Sequence, residues 1–128
     1  MKRFVSAAAT LLLFAGTVVA QDRQAKADFT PVSGSDVTGF AQITQLPHGG
    51  SLLRIVVRGL DTNASYASFY YEDPGCEGPP DLLGNFTAMP NGTGEAHARI
   101  EENIDKVGSV AVRRGPGHGA LLARAKLH

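Results

Sequence analysis

The chain has little cysteine, little excess charge and no helix-length apolar repeat. Its 128 residues include one cysteine, and its twelve basic residues equal its twelve acidic residues. A single cysteine excludes an internal disulfide framework. A balanced charge disfavours nucleic acid as a partner, since nucleic-acid-binding domains carry clustered Lys and Arg in clear excess. The missing helical periodicity argues against a helical domain.

The N-terminus has the pattern of an export signal. Lys2 and Arg3 precede a largely small and apolar stretch from Ala7 to Val19, and small residues precede a cleavage site after Ala20. This apolar stretch falls short of the roughly 20 residues that span a bilayer. An uncleaved membrane anchor is the alternative. We therefore predict a signal peptide at 1–20, export to the periplasm or beyond, and no stable membrane insertion of the mature protein.

After a polar leader predicted at 21–27, the chain has the pattern of an all-β domain at 28–128. In the clearest strand, from Leu52 to Leu60, apolar Leu53, Ile55 and Val57 alternate with residues of the other face. Turns rich in Gly, Pro and Asn separate similar segments, with the first strand predicted at 28–32 and the last at 120–127. This spacing predicts about seven or eight strands in an antiparallel sandwich or small barrel.

One strand is unusually aromatic and is followed by the longest irregular connection, at 73–84. Tyr66 and Tyr70 should share one face, while Phe69 and Tyr71 share the other. One pair should fill the core. The other lies under the Pro-rich connection, or it is exposed beside Arg113 and forms a surface for a protein or glycan partner.

Several motifs occur in an order that resembles the copper/zinc superoxide dismutases. The matching segments include a Gly-Leu turn, a glutamate after an aromatic strand, a Leu-Gly-Asn motif and a Val-rich late strand: Gly59-Leu60, Glu72, Leu83-Gly84-Asn85 and 107–112. The resemblance implies a Greek-key sandwich, superoxide-dismutase-like or immunoglobulin-like. The chordin-type (CHRD) domain, a related secreted sandwich, shares parts of the same pattern.

The resemblance also locates the metal ligands, and none of those positions holds a histidine. Phe69 and Tyr71 fall on the family's paired copper ligands, and Arg113 falls near the last one. A phenyl ring cannot ligate, tyrosine with a pKa of about 10 ligates poorly at neutral pH, and a permanent cation repels a metal ion. The loop that would carry the zinc ligands is almost absent before Asp81. We therefore expect no catalytic residue and no bound cofactor.

The resemblance leaves Cys76 unpaired. In the family, a cysteine at this place is bridged to one in the last strand, where this chain has Arg124. Cys76 is then a semi-buried thiol that packs as a small hydrophobe. Intermolecular pairing or a reactive thiol is the alternative.

Four histidines are scattered over the chain without the i, i+2 or i, i+4 spacing of a metal site. His48 and His97 fit a hairpin turn and an outer strand face. His118 and His128 both lie near the last strand and are the only fallback candidates for a makeshift copper or zinc site.

Three hypotheses follow for the function. The first is an exported, non-catalytic binding or structural module on a superoxide-dismutase-like scaffold. The second is a divergent dismutase or copper-binding protein with relocated ligands. The third is a chordin-type surface module that associates with its own copies.

Overall fold

The structure, a computed structural model, describes residues 23–32 and 34–127. The export signal predicted at 1–20 lies outside these residues, and so does His128. The described residues form nine strands in two antiparallel sheets, which confirms the all-β class. None of the helices in this part of the chain has the length and apolar character needed to cross a membrane.

The strands are distributed between a four-stranded and a five-stranded sheet. Their order is β1-β3-β4-β7 in the first sheet and β2-β9-β8-β5-β6 in the second. Their bounds are β1 Gln24–Asp28, β2 Thr30–Pro31, β3 Thr38–Gln45, β4 Ser51–Arg58, β5 Ser65–Tyr71, β6 Asp81–Thr87, β7 Gly94–Ile100, β8 Ser109–Arg114 and β9 Leu121–Lys126. The chain crosses between the sheets after β4 and returns after β6, so β7 lies beside β4. Strands β4 to β7 therefore form a Greek key.

The core lies between the sheets and follows the alternation of the strands. Leu53, Ile55 and Val57 of β4 are fully buried, while Arg54 and Arg58 are exposed. Each such aliphatic side chain contributes about 1.5–3 kcal/mol by leaving water. The period-two pattern thus determines which face of each sheet turns inward.

The N-terminal part of the domain differs from the prediction. Gln24–Asp28, which fell mostly in the predicted polar leader at 21–27, forms the edge strand β1 and pairs with β3. Ala25 and Ala27 pack against the core. Alanine carries too weak a hydrophobic signal to reveal an inward face beside exposed polar neighbours, so the pattern was missed.

The strand predicted at 28–32 is divided between the two sheets. The chain leaves the first sheet at Phe29, whose side chain is buried in the core, and β2 then pairs with β9 in the second sheet. The additional short strand explains why nine strands are present where seven or eight were predicted. The polar connection after β7 contains one short 3-10 helix, Ile104–Lys106.

Candidate functional site

The three residues that the resemblance predicts at the copper positions come together on the outer face of the five-stranded sheet. The two pairs occupy opposite faces of β5, as predicted, and the structure decides between them: Tyr66 and Tyr70 point into the core, while Phe69 and Tyr71 point outward. Arg113 lies in the neighbouring strand β8, where it pairs with Ala67, a residue on the same outward face as Phe69 and Tyr71. A small second apolar cluster therefore covers the outside of the sheet.

Hydrogen bonds connect the polar atoms of this region. The Arg113 Nε donates to the Tyr71 hydroxyl at 3.2 Å, and its Nη1 donates to the Gly119 carbonyl at 3.0 Å. The Nε2 of His118 lies 3.3 Å from the same Tyr71 hydroxyl. The His118 ring also contacts the Phe69 ring edge-on, with centroids 4.9 Å apart. We call Phe69, Tyr71, Arg113 and His118 the outer-face cluster.

The aromatic strand does not form an exposed binding surface. Tyr66, Phe69, Tyr70 and Tyr71 are all buried, and none has more than 8% of its area exposed. Phe69 and Tyr71 pack with Cys76 from the Pro-rich connection and with Leu121 of β9. Of the two alternatives for the outward pair, the structure therefore shows the covered one, because Cys76 of the connection packs on Phe69 and Tyr71.

The two inward tyrosines have structural partners. The Tyr66 hydroxyl accepts hydrogen bonds from the Asp61 backbone N–H at 2.8 Å and from Arg114 at 3.2 Å. The Tyr70 hydroxyl donates to Glu102 at 2.8 Å, and burial together with this carboxylate raises the pKa of Tyr70 well above its ordinary value. Both hydroxyls thus tie strand β5 to neighbouring turns.

Cys76 is a free thiol, and it is buried. Its backbone has a left-handed φ of 62°, its N–H donates to the Ser109 hydroxyl at 2.9 Å, and its Sγ lies 3.6 Å from the Val110 carbonyl oxygen. Burial raises the pKa of the Cys76 thiol, and the opposing effects of the Ser109 hydrogen bond and of the Arg124 and Arg113 charges do not reverse that shift. A protonated, buried thiol is a poor nucleophile and metal ligand.

The described histidines stand apart from one another. His48 and His97 are exposed in a turn and on the outer face of β7, and His118 is an exposed member of the outer-face cluster. Among residues 23–32 and 34–127, no group of three or more His, Cys, Asp or Glu side chains could hold a metal ion. The fallback pair of His118 and His128 has one member outside these residues.

Sequence reasoning missed the position of His118 beside Tyr71. It lies in the glycine-rich turn between β8 and β9, where no strand or helix periodicity fixes a side-chain direction. The sequence signal that could have located His118 is that this turn follows Arg113 closely in the chain. These contacts can fix the position of the Tyr71 ring. The Tyr71 hydroxyl already accepts a hydrogen bond from the Arg113 cation.

Comparison with known proteins adds no family assignment. No family model matches the chain, and no curated protein matches it closely enough to count as a relative.

Proposed function

We propose that this protein is an exported, non-catalytic binding or structural module, built on a sandwich of the superoxide-dismutase-like kind. The observation that carries the proposal is the hydrogen bond from Arg113 to Tyr71. It joins two of the three residues at the expected copper position, and the third, Phe69, is buried beside them. The Greek-key strand order also supports the scaffold, although many unrelated sandwiches share this architecture.

The chemistry of the outer-face cluster opposes metal binding. Arginine carries a permanent positive charge in proteins, so the guanidinium at position 113 repels a divalent cation. It also donates to the Tyr71 hydroxyl oxygen. Binding a metal there would require breaking this hydrogen bond and moving a buried ring, which close packing resists.

The test is the copper and zinc content of the protein purified from metal-replete cells, measured by mass spectrometry. We expect far less than one ion per chain, and no superoxide dismutase activity. About one bound copper or zinc per chain would overturn the proposal and favour the divergent enzyme.

A single substitution makes the test sharper. Arg113→His restores one histidine while Phe69 and Tyr71 still occupy the other positions, so we expect no gain in copper binding. Arg58→His, at an exposed position on the other sheet, is the matched control for adventitious binding by a new histidine. Copper bound by the Arg113→His variant, but not by the control, would contradict the proposal that Phe69 and Tyr71 block the expected copper position.

A further inference from the structure

An open groove of about 440 Å³ lies on the outer side of the second sheet, beside strand β9. Its lining joins the short strand β2, the outward side chains of β9 and the start of the Pro-rich connection: Thr30, Pro74, Gly75, Arg124 and Lys126. Two cations and one hydroxyl face the groove, and no carboxylate is among the described residues that line it.

Strand geometry brings the three polar side chains together. Arg124 and Lys126 alternate with buried Ala123 and Ala125, so both point outward and start roughly 7 Å apart along the strand. Thr30 is the direct cross-strand partner of Arg124. Directly opposed side chains on one face have Cβ atoms roughly 5 Å apart. The guanidinium, the ammonium and the hydroxyl can therefore reach one small ligand.

Both cations lack a carboxylate partner within the described part of the chain. The ion pairs found there use other basic residues, namely Arg23, Arg54, Lys106 and Arg114. The positive field of Arg124 also extends to the neighbouring connection, where it partly offsets the effect of burial, which raises the pKa of Cys76. The groove is therefore a locally positive region on a chain without excess positive charge.

The side of the groove formed by Pro74 and Gly75 is held in place by hydrogen bonds. The Asp73 carboxylate accepts from the backbone N–H of Gly75 at 2.6 Å and of Glu77 at 3.3 Å. Ser109 on β8 donates its hydroxyl hydrogen to the Asp73 carbonyl and accepts from the Cys76 N–H. The wall is fixed before any ligand arrives, which lowers the entropic cost of binding.

We infer that this groove binds a phosphate-type oxyanion, either as free phosphate or as the phosphate of a lipid headgroup. A carboxylate could be satisfied by the fork of Arg124 alone. A phosphate group has enough oxygens to accept from Arg124, Lys126 and Thr30 together. This inference deepens the binding role proposed above and rests on it for its biological meaning.

The test is a titration of the isotope-labelled protein with inorganic phosphate at low ionic strength, followed by amide chemical shifts. We expect saturable shifts at Thr30, Gly75, Arg124 and Lys126. Arg124→Gln should weaken phosphate binding by about tenfold or more, because it removes the bidentate charged donor. Lys126→Gln should weaken it by a smaller factor.

Arg58→Gln is the matched control, because Arg58 is exposed at the end of β4 on the other sheet. It should keep the phosphate affinity of the unchanged protein. The dispersed spectrum of each variant reports that it is folded. An absence of saturable shifts, or equal losses in the Arg124 and Arg58 variants, would overturn free phosphate as the ligand.

Co-sedimentation with vesicles distinguishes the two sources. Binding to phosphatidylglycerol vesicles but not to phosphatidylcholine vesicles, lost in Arg124→Gln, would assign the site to a lipid headgroup. If neither phosphate nor these vesicles bind in an Arg124-dependent way, the inference is wrong. The metal measurement is independent of this test. A metal-free protein that does not bind phosphate overturns only the inferred phosphate site in the groove. One bound copper per chain overturns the proposed function.

Discussion

Individual side chains on the second sheet are held by partners that lie far away in the chain. Arg113 donates to Tyr71, 42 positions away, and Ser109 donates to the carbonyl of Asp73 in the Pro-rich connection, 36 positions away. Each such hydrogen bond contributes about 1 kcal/mol net, but leaving one partner buried and unpaired costs more. The outward face of β5 is therefore a packed and hydrogen-bonded surface, which explains why it cannot serve as an exposed aromatic platform.

Tyr70 should make stability depend on pH in the alkaline range. Its folded pKa is raised, first by burial and then by the hydrogen bond to Glu102. The folded state therefore keeps the proton at a pH where the unfolded chain loses it. This stabilisation is complete below about pH 10, the ordinary value for tyrosine, and it decreases as the pH rises above it.

Denaturant unfolding of the protein and of Tyr70→Phe at neutral and alkaline pH measures this effect. At neutral pH the variant should be about 1 kcal/mol less stable, because it lacks the hydrogen bond to Glu102. Above about pH 10 the difference in unfolding free energy between the two proteins should narrow, since the variant has no phenol to ionise at this position. A difference in unfolding free energy that stays constant from about pH 7 to about pH 11 would contradict a raised pKa of Tyr70 in the folded state.

At the scale of elements, the edge strand β1 and the β3–β4 pair determine the shape of the first sheet. Strand β1 covers the outer edge of β3 through five paired residues. Within the β3–β4 pair, Gly39 adopts a φ of 136°, and a Cβ there would overlap the Val56 carbonyl oxygen. The two strands approach each other this closely only because that position has no side chain.

Gly39→Ala should therefore strongly destabilise the fold, by at least about 2 kcal/mol in unfolding free energy, through backbone strain and overlap. Gly84→Ala is the matched control, since a Cβ at that position in β6 meets nothing within 4 Å. The control should change stability by less than about 1 kcal/mol. Equal losses of unfolding free energy in the two variants, measured by urea unfolding, would show that the close approach of the strands at Gly39 does not require a glycine.

Strand β1 gives a separate prediction about which residues belong to the domain. Ala27→Asp would place a carboxylate where the methyl group packs against the core, and it should cost about 1–2 kcal/mol. Gln24→Asp, at an exposed position of the same strand, should cost less than about 0.5 kcal/mol. Thermal unfolding of both variants distinguishes a paired strand from a leader, because a leader would tolerate both changes equally.

At the scale of the whole molecule, the pairing of strands is mostly non-local. Ser51 of β4 pairs with Ile100 of β7, and Thr30 of β2 pairs with Arg124 of β9. Long loops must close before such pairs form, so the transition state is reached at a high entropic cost. The chain passes from one sheet to the other five times between β1 and β8, and the sandwich gains its core only when these crossings are complete.

This topology predicts slow folding, on a timescale of roughly milliseconds to seconds, as for other β-sandwiches. Stopped-flow refolding from urea, followed by tyrosine fluorescence, measures the rate. The Gly84→Ala variant serves as the control, because it leaves the topology unchanged and should refold at a similar rate. Complete refolding within microseconds would contradict the dominance of non-local pairs.

The sequence by itself determined the all-β class, most strand positions and which side chains share a face. Alternation is a local property, so it showed that Leu53, Ile55 and Val57 share one face of a strand, and that Phe69 and Tyr71 lie on the face opposite Tyr66 and Tyr70. Which of the two aromatic pairs enters the core was left open by the sequence. The tertiary structure alone decided what covers that outward pair. Burial of the pair depends on a connection folding back over the sheet, and strand periodicity carries no information about such a contact.

The same limit applies to the sites. The closeness of His118 to Tyr71, and of Thr30 to Arg124, arises from contacts between residues 47 and 94 positions apart in the chain. Nothing in the local pattern at either end specifies its partner. Strand order and register bring these side chains together, and both are set by the packing of the complete core.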